Sequence, residues 1–167
     1  MISVELTEEQ SAEASDVGMR RGRLADKRGW KDRGGFQANE GLVSHRLGAR
    51  GECAFAVWAG LPWNGFVLNP HQLPGDVAHY EIRTTPLPHG RLVIMPTDVE
   101  TKATRPFVLA LANAYDRFTL AGWYLPADGM NQQWWRDYPG RSGRWFVPRS
   151  ELHTMESLPG LPARLVA

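Results

Sequence analysis

The sequence has a single cysteine, Cys53, and no long apolar run. One cysteine excludes an internal disulfide framework and a cysteine-based zinc site. No apolar stretch approaches the roughly 20 residues that a helix needs to span a bilayer. The first ten residues, MISVELTEEQ, carry acids where a secretory signal has a basic start and an apolar centre. We therefore expect a soluble cytoplasmic protein with no membrane partner.

The histidines also lack the spacing of a metal site. No two of the five histidines are four residues apart, so we do not expect a histidine zinc site. Cys53 lies on the apolar side of an expected helix, where a small core residue is favoured over a nucleophile. The length of 167 residues fits one folded domain.

Charge is balanced overall but unevenly distributed. The chain has 19 Lys and Arg against 18 Asp and Glu, which by itself argues against a nucleic-acid partner. Seven basic residues nevertheless fall between Met19 and Arg33, with two acids among them. This basic window predicts contacts with an anionic partner, although a solvated helix end followed by a loop is the alternative. Its basic residues are Arg20, Arg21, Arg23, Lys27, Arg28, Lys31 and Arg33.

The order of elements predicts a mixed α and β domain. Thr7 and Gln10 form a capping-box pattern at the start of a helix that extends to Lys27. Apolar spacing predicts a second helix from Ser44 to Leu61. Pro86 to Gly90 resembles a hairpin connection, and a short helix is expected over 127–136. Strands are expected at 77–84, 91–95, 107–111, 117–123 and 145–148. An α+β or α/β layered arrangement follows.

Three acids and an arginine are the strongest candidates for chemistry. Glu81 and Arg83 are two residues apart on a strand and so share a face. Asp76 lies on the other face unless the chain bends near Ala78 and His79. Glu52 lies among small residues on the second helix, where it can approach a sheet. Converging carboxylates predict a Mg²⁺ or Mn²⁺ site formed by Glu52, Asp76 and Glu81, with Arg83 beside it.

A helix glutamate, an aspartate and E-x-R resemble the motif of the PD-(D/E)xK nuclease superfamily. The chain also resembles small phage and prophage proteins that share G-A-R-G-E, D-V…V-R-T and a late F-V-P. The resemblance implies a restriction-endonuclease-like core, with a mixed four- to five-stranded sheet flanked by helices. It implies an endonuclease or exonuclease that acts on DNA in a bacterial host cell, with catalytic residues Glu52, Asp76, Glu81 and Arg83.

The resemblance divides the chain into three parts. Residues 1–43 form an N-terminal helix and a basic glycine-rich loop, residues 44–150 the nuclease-like core, and residues 151–167 a tail. Two features depart from the superfamily: Arg83 stands at the usual lysine, and the D-x4-E spacing is short. A catalytically inactive module that binds DNA, or a host or phage protein, is therefore the alternative. The sequence also leaves a homodimer open.

Each candidate residue also has a purely structural interpretation. Glu81 and Arg83 would then belong to a surface salt bridge, Glu52 would pair with Arg46 or Arg50, and Asp76 would be a turn residue. The tryptophans Trp134 and Trp135 are expected to contact nucleic acid, because aromatic faces next to arginines suit unpaired bases. Covering the edge of a small sheet is the alternative for such aromatics.

Overall fold

Two β-sheets and three helices form the domain in the computed structural model, which describes residues 1–29, 38–65, 75–138 and 141–161. The helices are α1 (Glu8–Lys27), α2 (Ala38–Ala59) and α3 (Pro96–Lys102). The strands are β1 (Ile2–Glu5), β2 (Glu81–Thr85), β3 (Leu92–Ile94), β4 (Phe107–Ala112), β5 (Arg117–Tyr124), β6 (Trp135–Tyr138) and β7 (Arg141–Val147). None of the helices within those ranges is long and apolar enough to cross a membrane.

Helices α1 and α2 form as their sequences predict. Thr7 and Gln10 make both hydrogen bonds of the capping box, which satisfies backbone N–H groups at the start of α1. Gly18 allows the two helices to approach closely, since a Cβ at this position would lie 2.5 Å from the Cα of Arg46. Helix α2 begins six residues before Ser44, so Ser44 is an interior residue and not the N-cap.

The main sheet has the strand order β1-β5-β4-β2. Strand β2 is parallel to β4, whereas β1 and β4 pair antiparallel with β5. The sheet is therefore mixed, as expected, and helices flank it. Strand β1, from the N-terminal part of the chain, extends this sheet beside β5. The main core lies between the sheet and the helices, and its largest fully buried members are Tyr80, Phe55 and Phe118.

The second sheet was not expected. It is antiparallel, with the order β3-β7-β6, and its inner face packs Leu92, Ile94 and Val147 against Phe107 and neighbouring residues. The connection at Pro86 to Gly90 is consequently not a hairpin, because β2 and β3 belong to different sheets. Local turn residues mark where the chain reverses, but they do not determine the strand with which each side pairs.

The helix expected over 127–136 is absent. Short 3-10 turns occupy Pro126–Asp128 and Gln132–Trp134, and β6 begins at Trp135. Gly129 has a φ of +106° and interrupts the segment between the two turns. The remaining strand predictions fall on β2, β3, β4, β5 and β7, with shifted ends. Strand β2 is shorter than predicted because Val77 to Tyr80 form a tight turn.

Candidate functional site

A tight turn before β2 brings Asp76 next to Glu81 and Arg83. Val77 and Tyr80 form an isolated antiparallel bridge, and Ala78 has a φ of +52°, which is rare for a residue with a side chain. The turn lets Oδ2 of Asp76 accept the backbone N–H of Ile82 at 2.8 Å. The bend that the sequence required near Ala78 is confirmed, and it returns Asp76 to the strand that carries Glu81.

Arg83 lies among three carboxylates. Its Nη2 donates to Oδ2 of Asp98 at 3.0 Å, and its Nη1 lies 3.8 Å from Glu81 and 4.0 Å from Asp76. The guanidinium also packs over the ring of Phe107. Burial opposes the charge on this guanidinium, but Asp98, Asp76 and Glu81 outweigh that effect and raise the pKa of Arg83. Arg83 is therefore a permanent and firmly held positive charge.

Glu81 is the most deeply buried acid of the site. Its side chain is 2% exposed, and its Oε2 accepts from Nζ of Lys102 at 2.7 Å. Its other oxygen accepts from Nη1 of Arg105 at 3.0 Å. Lys102 is the last residue of α3 and Arg105 lies three residues beyond it, so the end of this short helix and the turn that follows supply two cations to β2. The partners of Glu81 are these cations and Arg83, which is an internal network and not a surface salt bridge.

Glu52 faces inward from α2. Its side chain is 7% exposed, with Oε1 accepting from Nη1 of Arg21 at 2.6 Å and Oε2 accepting from Nε1 of Trp63 at 3.2 Å. Arg21 of α1 thus takes the place of Arg46 and Arg50 as the partner of Glu52. The negative charge of Glu52 is also one cause of the raised pKa of Asp76, so the helix acid is coupled electrostatically to the acid of the turn.

Asp76 is the acid of this site whose negative charge is disfavoured. Burial of its carboxylate and the negative charge of Glu52 raise the pKa of Asp76, against the opposing effects of Arg83, the Ile82 N–H and Lys102. Two neighbouring carboxylates repel each other, and an additional cation between them favours the charged form of both.

Replacing Asp76 with asparagine is expected to stabilise the protein at pH 8. The folded state holds the Asp76 proton more tightly than the unfolded chain does. The stability that this group contributes is thus complete below its ordinary pKa of about 4, and it is lost as pH rises through the raised pKa. Asparagine has no charge to bury and can still accept the Ile82 N–H. Urea unfolding at pH 8 and pH 4 measures the difference.

The advantage of Asp76→Asn should shrink as pH falls toward 4. Asp116→Asn, at a more exposed carboxylate beside Arg117, is the matched control and should change stability little at either pH. A variant at position 76 that is less stable than the wild type at pH 8 would contradict the assignment.

The distance between α2 and β2 is set by a glycine. A Cβ at Gly51 would lie 1.9 Å from Oγ1 of Thr84 and 2.9 Å from its Cβ and Cγ2. Thr84 is the neighbour of Arg83, and Gly51 is the neighbour of Glu52. The hydroxyl of Thr84 is buried there, and no residue of the described part of the chain forms a hydrogen bond with it. Glycine at position 51 therefore lets the helix acid approach the strand acids.

The residues expected to bind nucleic acid have mixed positions. Arg20 pairs with Asp16, and Arg21 is directed inward to Glu52, whereas Arg23 is exposed on α1. Lys27 and Arg28 are exposed at the end of α1, and Lys31 and Arg33 lie outside the described residues.

Trp134 packs edge-on against Tyr124, and Trp135 packs against Trp145 with ring centres 4.5 Å apart. Both Trp134 and Trp135 are half-buried, and Trp134 partly covers the second core.

Three charged residues of this site were not predicted, namely Asp98, Lys102 and Arg105, and Arg21 was predicted only as a contact of nucleic acid. Asp98 is 4% exposed, and its Oδ2 also accepts the backbone N–H of Met95 at 3.0 Å. The sequence does contain one signal, since Pro96 followed by Asp98 is typical of the first turn of a helix. The other three follow from how α1 and α3 pack, which no local pattern indicates.

The fold defines an α+β protein with a four-stranded mixed sheet flanked by helices, and its site is a buried cluster of acids and cations. No family model, curated protein or solved structure matches this chain. Within the described part of the chain, no three or more His, Cys, Asp or Glu side chains are arranged as a metal centre. Glu81 is directed to Lys102 and Arg105 instead.

Proposed function

We propose that this protein acts on nucleic acid as a PD-(D/E)xK-like domain that hydrolyses phosphodiester bonds with Mg²⁺ or Mn²⁺. One observation carries the proposal: Asp76 and Glu81 both lie within 4.0 Å of Nη1 of Arg83, and the close packing of Gly51 on Thr84 brings the helix that carries Glu52 against the same strand. A turn with a strained Ala78 is needed to bring Asp76 there. Backbone strain of this kind is typical of functional sites.

The donor set fits a hard divalent cation in its chemistry. Carboxylate oxygens are the ligands that Mg²⁺ and Mn²⁺ prefer, and the repulsion between Glu52 and Asp76 is relieved by a positive ion. Glu52, Asp76 and Glu81 would hold the ion, which would supply an activated water and stabilise negative charge on a phosphate. The ion would compete with Lys102 and Arg105 for Glu81, and with Arg21 for Glu52.

Arg83 is suited to binding a phosphate. Its guanidinium is planar and presents several N–H donors, and the side chain as a whole is 29% exposed. Asp98 holds Nη2 and thereby fixes the plane of the group. Arg83 would orient the phosphate beside the acids, and nucleic acid would also contact the exposed cations of α1.

A cleavage assay with Asp76→Asn tests the proposal. Supercoiled plasmid and single-stranded circular DNA are incubated with the protein and Mg²⁺, Mn²⁺ or EDTA. The wild type is expected to cleave with a metal ion and not with EDTA, and Asp76→Asn to lose at least 100-fold in rate. Because this variant should be the more stable protein at pH 8, unfolding cannot explain the loss. Equal rates for the two proteins would reject the site.

A second candidate function is nucleic-acid binding without cleavage. It is favoured by the contacts of Glu52 and Glu81, since every carboxylate oxygen of these two residues accepts a hydrogen bond from a protein donor. The prediction for this candidate is binding that survives EDTA, with intact DNA after long incubation. Binding that requires Mg²⁺ would exclude it.

A further inference from the structure

The outer face of the small sheet places two arginines directly opposite each other. Arg136 of β6 and Arg144 of β7 are Cα partners in the antiparallel register, so their side chains share one face. Like charges in this position are destabilising. No acidic side chain is present among the residues described on this face, because Asp137 is directed to the other side and accepts from Nε1 of Trp135.

Two aromatic rings lie on the same face as this arginine pair. The guanidinium of Arg144 lies 5.1 Å from the ring centre of Tyr138, and the ring of Tyr138 lies 6.2 Å from that of Phe146. Tyr138 is 40% exposed, and Phe146 is half-buried beside Val93 on the adjacent strand. We name Val93, Arg136, Tyr138, Arg144 and Phe146 together the outer face. The opposite side of the sheet carries Leu92, Ile94 and Val147 and is buried in the second core.

The two arginines are held in different ways. Nη1 of Arg136 donates to the backbone oxygens of Gln133 and Trp135, at 2.9 and 2.6 Å, so its side chain lies along the edge strand. Nε of Arg144 is buried and has no hydrogen-bond partner within the described ranges of the chain. Neither arginine forms an ion pair among the described residues. The positive charge of the outer face is therefore not neutralised within the part of the chain that the structure describes.

We infer that the outer face binds single-stranded nucleic acid. Arg136 and Arg144 would neutralise successive phosphates, and Tyr138 and Phe146 would stack on unpaired bases, whose flat faces a duplex hides. Stacking accepts any base, so the face would bind without sequence preference. The surface is built from β6 and β7 and shares no residue with the acidic site. It refines the proposed function by naming a single strand as the ligand, but its binding does not depend on cleavage.

Fluorescence anisotropy with a labelled 15-nucleotide oligo(dT) tests the inference, with a 15-base-pair duplex for comparison and EDTA in all samples. The wild type is expected to bind the single strand more tightly than the duplex. Arg136→Gln combined with Arg144→Gln should weaken single-strand binding at least tenfold. It should also lower the slope of log affinity against log salt by about 1.4, which corresponds to two phosphate contacts.

Two matched variants separate charge and stacking. Arg117→Gln combined with Arg149→Gln removes the same charge from exposed positions outside the small sheet and should change binding less than twofold. Tyr138→Leu keeps an apolar side chain but removes the aromatic face, so affinity should fall about tenfold with the salt slope unchanged. Equal effects of the two arginine pairs would overturn the inference. If the variants lose affinity equally for the single strand and the duplex, the face binds phosphates alone, and this result would also overturn the inference.

Crosslinking gives a second measurement that needs no substitution. Oligo(dT) carrying 5-iodouracil is irradiated with the wild type, and the linked residues are identified by mass spectrometry. Links at Tyr138 or Phe146 are expected, and links confined to other elements would contradict the outer face. Binding through this face by a protein that never cleaves DNA would reject the proposed nuclease activity and leave the inference intact. If the variant that lacks both arginines still cleaves DNA and binds oligo(dT) as the wild type does, the inference about the outer face is rejected and the proposed nuclease activity is kept.

Discussion

Replacing Glu81 with glutamine is expected to reduce metal-dependent cleavage at least 100-fold. The substitution keeps the size of the side chain but removes the one negative charge that contacts Arg83, Lys102 and Arg105 together. Removing one electrostatic group of an active site typically costs 10² to 10³ in rate, roughly. Stability should also fall, by about 1–3 kcal/mol, because charged hydrogen bonds are lost in a buried position. Plasmid nicking and urea unfolding measure the two effects separately.

A second substitution distinguishes the chemical role of Glu81 from its structural role. Adding Lys102→Met to Glu81→Gln removes the unpaired ammonium, so part of the lost stability should return while cleavage stays absent. Glu100→Gln, at an exposed position of the same short helix, is the control for both measurements and should resemble the wild type. Recovery of cleavage together with stability would show that Glu81 only supports the fold.

Replacing Gly51 with alanine should destabilise the protein by about 1–3 kcal/mol, the usual cost of overpacking. For a chain of this size that corresponds to a fall of about 2–12 °C in the melting temperature. The new Cβ would overlap the side chain of Thr84 unless α2 moves away from β2. Such a movement would also separate Glu52 from Asp76. We therefore expect lower cleavage even at temperatures where the variant is fully folded.

Gly48 provides the matched control for this substitution. It lies on the same helix, and nothing is within 4 Å of the position that a Cβ would take. Gly48→Ala should stabilise the protein by about 0.5–1 kcal/mol, since alanine is the better helix former. Adding Thr84→Ala to Gly51→Ala removes two of the three overlaps and should restore part of the stability. Equal effects of alanine at positions 48 and 51 would show that the packing of Gly51 against Thr84 is unimportant.

The parts of the fold that local sequence determines were predictable. The first turn of α1 follows from Thr7 and Gln10, because a capping box is formed by residues three apart. The face shared by Glu81 and Arg83 follows from the alternation of a strand, and the same alternation implies that Asp76 can join them only if the chain bends near Ala78. These features depend on neighbours in sequence, and a pattern of residue types is sufficient to identify them.

The parts that depend on distant pairing were not predictable. Strand β3 pairs with β7, whose partner residues follow it by about 50 positions, and nothing near Leu92 indicates that partner. Helix α3 has seven residues and follows β3 directly, so it lacks the apolar periodicity that longer helices show. Its residues Asp98 and Lys102 were therefore not predicted as members of the site. Arg21 was predicted to contact nucleic acid, and its pairing with Glu52 could not be predicted because that contact depends on how two helices cross.

A single oxygen atom connects the start of α3 to the strand beside it. Oδ2 of Asp98 accepts the backbone N–H of Met95 and also Nη2 of Arg83. If the first turn of the helix frays and carries Asp98 away, Arg83 loses the hydrogen bond that its Nη2 donates. Local opening of this short helix and loss of the arginine's orientation are thus coupled. A ligand that holds Arg83 would also slow the opening of a helix that it never touches.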